Sequence, residues 1–159
     1  MSVMKSAHPE PRQSERSERD PTSHPVLLYD GVCNLCNASV RWVLAVDRRQ
    51  VFRFASLQSP VGEALARRAG APTSPGATVP DSFVLVDGER AWIRSDALLE
   101  AARRLGAPWS WALMLRVFPR GFRDAIYSWI ARNRYRWFGK QETCPLPSPE
   151  QRARFLDVP

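Results

Sequence analysis

The sequence predicts an α/β domain, and three observations indicate this fold class. A continuous apolar run at Val26–Tyr29 is followed by the turn Asp30-Gly31 and then by apolar residues at helical spacing. Val51–Ala55 is a second run rich in residues that favour strands, so strand, helix and strand form a βαβ unit. Further along the chain, Asp87-Gly88 lies between two strand-like runs and predicts a β-hairpin.

The helices of the first half follow from their start and stop signals. The helix of the βαβ unit is predicted from about Cys33 to Val46, because its apolar residues recur at helical spacing. A second helix is predicted to begin at Ser59-Pro60, where proline suits the first helical position, and to end at Gly70. The prolines and glycine within residues 71–80 predict a loop.

The hairpin and the next helix complete the core. The two strands of the hairpin are predicted at Ser82–Val86 and Arg90–Ile93. Ser95 is the predicted N-cap of a helix that runs from Asp96 to Leu105 and ends at a glycine. The element order βαβ, helix, ββ, helix is that of a thioredoxin-like fold.

The two ends of the chain differ in character. Residues 1–25 mix proline, serine and alternating charges with few bulky apolar side chains, so we expect a disordered tail ahead of a domain at 26–159. Two further helical patterns, at about Trp109–Phe118 and Phe122–Asn133, predict a C-terminal helical extension. This aromatic and basic segment suits an amphipathic helix on a membrane surface. We favour the alternative, in which the aromatic stripe is packed between helices and the arginines are solvated.

Composition and charge limit the function classes. The 159 residues suffice for one domain, and 44% of them are hydrophobic. The first 25 residues lack the apolar core of a signal peptide and no run approaches the roughly 18 apolar residues of a spanning helix, so we expect a cytoplasmic protein without a transmembrane segment. The net charge is +7, and nine basic residues stand against Asp124 alone between Arg103 and Lys140. Since no recognition motif accompanies this charge, nucleic-acid binding is not expected.

The motif with the clearest chemistry is Cys33-Asn34-Leu35-Cys36, at the carboxyl end of the first strand. Two thiols three residues apart in the first turn of a helix lie on one face and can form a disulfide with little backbone movement. Cys33 also lies at the positive end of the helix dipole, which favours the reactive thiolate. The motif therefore predicts thiol–disulfide exchange, in which Cys33 is the more accessible nucleophile and Cys36 resolves the mixed disulfide.

These residues resemble the DCC family of small thiol-disulfide oxidoreductases, named for an Asp and two Cys that match Asp30, Cys33 and Cys36. The resemblance covers about Val26 to Leu156 and implies a thioredoxin-like core with activity of the protein-disulfide reductase type. Thioredoxins place a cis-proline opposite the C-x-x-C, and Pro80 is the candidate for that position. Three later blocks also look like the family, namely Phe52–Ser59, Arg94–Ala97 and Asn133–Gly139.

Two roles are open to Asp30. Its carboxylate can accept the proton of Cys36 as a general base, or it can be a turn residue that bonds nearby backbone N–H groups. A carboxylate near Cys33 would also raise the pKa of that thiol.

Other ligand chemistry is less favoured by the sequence. A structural zinc ion needs four ligands, and only Cys144, His8 and His24 are available to complete the C-x-x-C, so neither a metal nor another cofactor is expected. We expect Cys144 to be a small apolar anchor of the C-terminal segment rather than a third redox thiol.

The function predicted from the sequence is disulfide exchange with a protein or small-molecule thiol that the sequence does not identify. The alternative is a redox-silent domain whose basic helical surface binds a partner.

Overall fold

The computed structural model describes residues 24–71, 83–140 and 148–157, and within them a four-stranded mixed sheet has the strand order β2-β1-β3-β4. The pair β1 and β2 is parallel, whereas β3 is antiparallel to both β1 and β4. The mixed α/β architecture agrees with the predicted thioredoxin-like fold. The elements are β1 (Val26–Tyr29), α1 (Asn34–Val46), β2 (Arg53–Ser56), α2 (Pro60–Arg68), β3 (Phe83–Asp87), β4 (Arg90–Ile93), α3 (Arg94–Leu105), a 3₁₀ helix (Trp109–Val117), α4 (Arg120–Phe138) and α5 (Pro149–Arg152).

Strand β1 is buried on both faces of the sheet, which explains its continuous apolar sequence. Val26 and Leu28 belong to a core that includes Ala66 of α2. Leu27 and Tyr29 point to the opposite face and belong to a core that includes residues of α1 and α3. The central strand thereby fixes where its carboxyl end, and the turn that follows it, lie in the molecule.

Local signals place α2 as predicted. The Ser59 hydroxyl accepts a hydrogen bond from the Gly62 N–H at 3.0 Å, and proline occupies the first turn. Gly62 must be a glycine, because a Cβ there would lie 2.0 Å from the carbonyl oxygen of Ser56. The helix therefore packs closely against the end of β2.

The predicted N-cap at Ser95 is wrong. Helix α3 begins at Arg94, with Ile93 in the cap position, so Ser95 is already helical. Its hydroxyl instead donates a hydrogen bond to the carboxylate of Asp124 on α4. The hydroxyl oxygen, which a cap would use to accept a backbone N–H, accepts from Arg123 Nη1 at 3.2 Å, so both functions of this hydroxyl serve α4.

The C-terminal extension is helical, but the prediction that its aromatic stripe forms core is wrong. The segment Trp109–Val117 is a 3₁₀ helix without a buried residue, and α4 buries only Ala131 and Arg134. Trp111 is 75% exposed and Trp129 is 54% exposed. The core-facing side of α4 carries small and polar residues, so its apolar stripe faces solvent. Within the described ranges, no helix has the length and apolar character to cross a bilayer.

Residues 148–157 return to the sheet beside β2. The Phe54 N–H donates to the Arg154 carbonyl at 2.8 Å, and the Leu156 N–H donates to the Phe54 carbonyl at 2.9 Å. The guanidinium of Arg154 pairs with the buried carboxylate of Asp47. This segment covers the edge of β2, which would otherwise present unpaired backbone groups.

Several sequence predictions concern segments that the structure does not describe. Residues 1–23 of the predicted tail, the proline-rich segment with Pro80, and the segment with Cys144 lie outside the described residues. The boundary between tail and domain at residue 25 stays a prediction.

Candidate active site

The two cysteines of the motif meet at the N-terminus of α1. Cys33 is the N-cap residue, with extended backbone angles (φ −89°, ψ 120°), and its carbonyl accepts the Asn37 N–H at 2.9 Å. Cys36 lies in the first turn, and the two cysteines approach to 3.3 Å. Both are free thiols in this structure. The geometry therefore agrees with the expected pairing of the two thiols on one face.

The pKa values of the two thiols are shifted in opposite directions. The Cys36 thiol donates a hydrogen bond to the Cys33 sulfur, and this bond, helped by the Cys36 N–H and by the charge of Arg134, lowers the pKa of Cys33 to about 6 against the opposing effect of burial. The same hydrogen bond, burial and the negative charge on Cys33 raise the pKa of Cys36. At neutral pH the pair therefore holds one thiolate, on Cys33, and one proton, on Cys36.

Asp30 is buried directly after β1, and its carboxylate accepts hydrogen bonds from four groups within the described part of the chain. One carboxylate oxygen, Oδ2, accepts from Arg134 Nη2 at 2.7 Å and from the Tyr135 hydroxyl. The other, Oδ1, accepts from the Val32 N–H at 3.1 Å and from Gln58 Nε2 at 2.8 Å. The bond from Val32 is the one that a simple turn residue makes. The remaining three tie the turn to α4 and to the residues after β2.

Arg134, Tyr135 and Gln58 belong to the site but were not singled out from the sequence. Arg134 is 1% exposed, forms an ion pair with Asp30, and contributes a positive charge that lowers the pKa of both cysteines. The Arg134 Nη2 also donates to the Tyr135 hydroxyl at 2.9 Å, and burial together with the bond to Asp30 raises the pKa of Tyr135 to about 12. The sequence does carry a signal for them, because Gln58 lies in the block Phe52–Ser59 and the other two lie in the block Asn133–Gly139, both of which resemble the family.

The prediction that Cys33 is the more accessible thiol is wrong. Cys33 is 0% exposed and Cys36 is 1% exposed. The chain leaving α4 covers them: Gly139 ends the helix at φ +76°, and Lys140 then pairs with Cys33 in an antiparallel bridge. Asn34 Nδ2 secures this cover by donating to the Phe138 carbonyl at 2.8 Å. Because these residues lie against Cys33, we expect movement of residues 138–140 to increase access to its sulfur.

Metal ligation has little support in the described parts of the chain. Across residues 24–71, 83–140 and 148–157, no three His, Cys, Asp or Glu side chains lie together in an arrangement that could hold a metal ion. Two of the residues considered from the sequence, His8 and Cys144, lie outside these ranges.

Comparisons with known proteins support the resemblance noted in the sequence. A family profile described as DCC1-like thiol-disulfide oxidoreductase matches residues 27–140. The uncharacterized protein YuxK of Bacillus subtilis (strain 168) is 42% identical over 131 residues, which cover 82% of this chain and 93% of YuxK. A DCC family protein of Arabidopsis thaliana, described as chloroplastic, is 39% identical over 126 residues, which cover 77% of this chain and 69% of that protein. No solved structure matches significantly. The chain therefore belongs to the DCC1-like thiol-disulfide oxidoreductase family.

Proposed function

We propose that this chain exchanges disulfides with a protein or small-molecule substrate, as a reductase, with Cys33 as the nucleophile and Cys36 as the resolving thiol. The observation that supports this proposal most directly is the asymmetry of the pair: the pKa of Cys33 is lowered to about 6, while that of Cys36 is raised. The shifts arise because the two thiols share a hydrogen bond at the N-terminus of α1, the place where a C-x-x-C can act in thiol exchange. We also propose a cytoplasmic location, because in that reducing compartment a C-x-x-C is more often catalytic or metal-binding than structural.

The proposed reaction proceeds in two exchanges. The Cys33 thiolate attacks a substrate disulfide, forms an S–S bond to one substrate sulfur, and releases the other as a thiolate. Cys36 then loses its proton and attacks the Cys33 sulfur, which forms the Cys33–Cys36 disulfide and releases the second substrate thiolate. The substrate gains two electrons and the protein loses two. A separate thiol reductant restores the dithiol.

We assign Asp30 the role of proton acceptor for Cys36, directly or through water, during resolution. Its charge is close enough to raise the pKa of Cys36. An Asp30→Asn variant should slow resolution of the mixed disulfide more than its formation, because Cys33 is already held as a thiolate by other groups. Single-turnover kinetics with a disulfide substrate separate the two steps. Equal slowing of both steps would leave Asp30 as a residue that holds the turn, and Gln58→Ala is the matched control because it removes one bond to the same carboxylate.

The position of residues 138–140 beside Cys33 leads to a second prediction. Removing the hydrogen bond between Asn34 and the Phe138 carbonyl, in Asn34→Ala, should accelerate alkylation of Cys33 by about two- to tenfold, the range expected for one net hydrogen bond. Iodoacetamide labelling followed by mass spectrometry measures this rate. Arg48→Ala, an exposed change in the turn that follows the far end of α1, serves as the control. An unchanged rate in Asn34→Ala would mean that this contact does not limit access.

A redox-silent partner-binding domain is the second candidate, and the full burial of both thiols favours it. The two functions differ in thiol reactivity. In glutathione buffers of graded potential, the oxidoreductase should convert between dithiol and disulfide at a defined midpoint. Alkylation of Cys33 should also fall as the pH decreases through about 6, where its thiolate takes up a proton. If neither cysteine is alkylated near neutral pH and no disulfide forms, the proposed oxidoreductase function is wrong.

A further inference from the structure

Helix α4 presents an apolar stripe to solvent on the side away from the core. Phe122, Ile126, Trp129 and Trp137 follow one another at intervals of four, three and eight residues, which places them on one face of a helix. They are 53%, 45%, 54% and 46% exposed respectively. The rings of Trp129 and Trp137 contact each other with centroids 4.9 Å apart, so the last two members of the stripe adjoin.

The stripe continues onto the 3₁₀ helix. The rings of Phe118 and Phe122 lie 5.8 Å apart and join the two elements. Single exposed apolar side chains are common, but so many of them within two adjoining elements are typical of an interaction surface. We call this group the outer patch. Its members are Trp111, Met114, Leu115, Val117, Phe118, Phe122, Ile126, Trp129 and Trp137.

Exposed arginines border the outer patch. Arg116 lies on the 3₁₀ helix, and Arg132 and Arg136 follow Trp129 by three and seven residues on α4. The acidic residue in these two elements, Asp124, faces α3 and already accepts from Ser95. The patch therefore combines an aromatic centre with a positive border.

This combination favours one kind of partner. A second copy of the chain would bring the arginines of both copies together across the interface, which costs electrostatic energy. A single helix face is also convex, and a fluid surface adapts to it more readily than a rigid protein does. Tryptophan rings prefer the level of lipid headgroups, and arginines beside them extend their charged ends to anionic headgroups.

We propose that the outer patch binds the surface of an anionic lipid bilayer, with α4 lying in the plane of the headgroups. Phe138 ends this helix, and its carbonyl accepts from Asn34, beside Cys33. Binding through the outer patch thus places the thiol pair near the membrane surface. The inference concerns where the protein acts and holds whether or not the proposed redox function is correct.

Vesicle co-sedimentation tests this proposal with the full chain. The protein should sediment with vesicles of phosphatidylcholine containing about one quarter phosphatidylglycerol, remain largely in solution with phosphatidylcholine alone, and be released by high salt. Arg132→Glu/Arg136→Glu should weaken binding by about tenfold or more, since two cations near the headgroups are reversed. Arg67→Glu/Arg68→Glu is the matched control, because it makes the same charge change on α2, on the other face of the sheet.

The apolar contribution has its own test. Trp129→Ser should reduce vesicle binding, whereas Val61→Ser, an exposed apolar residue of α2, should leave it unchanged. Tryptophan quenching by brominated lipid chains measures insertion in the unmodified protein. Absence of binding to anionic vesicles, or equal loss in the control variants, would overturn the proposal. So would a dimer that the patch variants dissociate in the absence of vesicle binding, which would indicate a second copy as the partner.

Discussion

A Cys36→Ser variant will accumulate a mixed disulfide through Cys33, whereas a Cys33→Ser variant will accumulate almost none. In the first variant the serine hydroxyl still donates to the Cys33 sulfur, and the charge of Arg134 is unchanged, so Cys33 stays largely a thiolate. In the second variant the charge of Cys33 is gone, but burial and the nearby charge of Asp30 still raise the pKa of the remaining thiol, so Cys36 stays largely protonated. Both variants are incubated with oxidised glutathione and analysed by mass spectrometry. Adduct formation should be about a hundredfold or more faster in Cys36→Ser than in Cys33→Ser, because its rate is proportional to the fraction of thiolate.

A third variant distinguishes the loss of the hydrogen bond from Cys36 to Cys33 from the loss of the resolving thiol. Cys36→Ala also lacks the resolving thiol, but it cannot donate to Cys33, so its adduct should form more slowly than in Cys36→Ser. If the adduct is found on Cys36 rather than Cys33, the assignment of nucleophile and resolving thiol is reversed. Both thiols are buried, so access limits the two single-cysteine variants to a similar extent and does not alter the comparison.

An Arg134→Met variant should lose about 3–5 kcal/mol of unfolding free energy, the usual effect of removing one partner from a buried ion pair. Methionine fills a similar volume, but it leaves the buried Asp30 carboxylate without its cation. The pKa of Cys33 should rise at the same time, because the charge of Arg134 is one of the influences that lower it. Urea unfolding measures the stability, and the pH dependence of Cys33 alkylation measures the pKa.

Two controls make the Arg134 result specific. Arg132→Met changes an exposed arginine on the same helix and should alter stability by no more than about 0.5 kcal/mol. Adding Asp30→Asn to Arg134→Met removes the stranded charge and should restore part of the stability, which a double-mutant cycle reports as coupling. If Arg134→Met keeps its unfolding free energy and the pH dependence of Cys33 alkylation is unchanged, the ion pair neither stabilises the fold nor lowers the pKa of Cys33.

The parts of the fold that the sequence predicted well have short-range causes. The apolar run Val26–Tyr29 became the buried strand β1 with the predicted ends. The serine and proline at the start of α2 act through neighbouring backbone groups, so reading them required no knowledge of distant contacts. The hairpin around Gly88 likewise depends on residues that are adjacent in the chain.

The failures have long-range causes. Ser95 was assigned to a cap because its alternative partner, Asp124, is 29 residues away. The burial of Cys33 depends on Lys140, which follows it by more than a hundred residues. The sequence of α4 predicts an aromatic stripe, but it does not predict which side of the helix faces the core. The inward side is the one that carries Arg134, which forms an ion pair with Asp30.

The two buried ion pairs have a consequence for biosynthesis. Asp30 and Arg134 are 104 residues apart, and Asp47 and Arg154 are 107 residues apart, so each pair joins the first part of the domain to its last. Contacts of such sequence separation form slowly and only after both segments have been made. A nascent chain that ends before α4 therefore lacks Arg134, which is both the cation for Asp30 and a charge that lowers the pKa of Cys33. The thiol pair acquires its final properties only when translation of the domain is nearly complete.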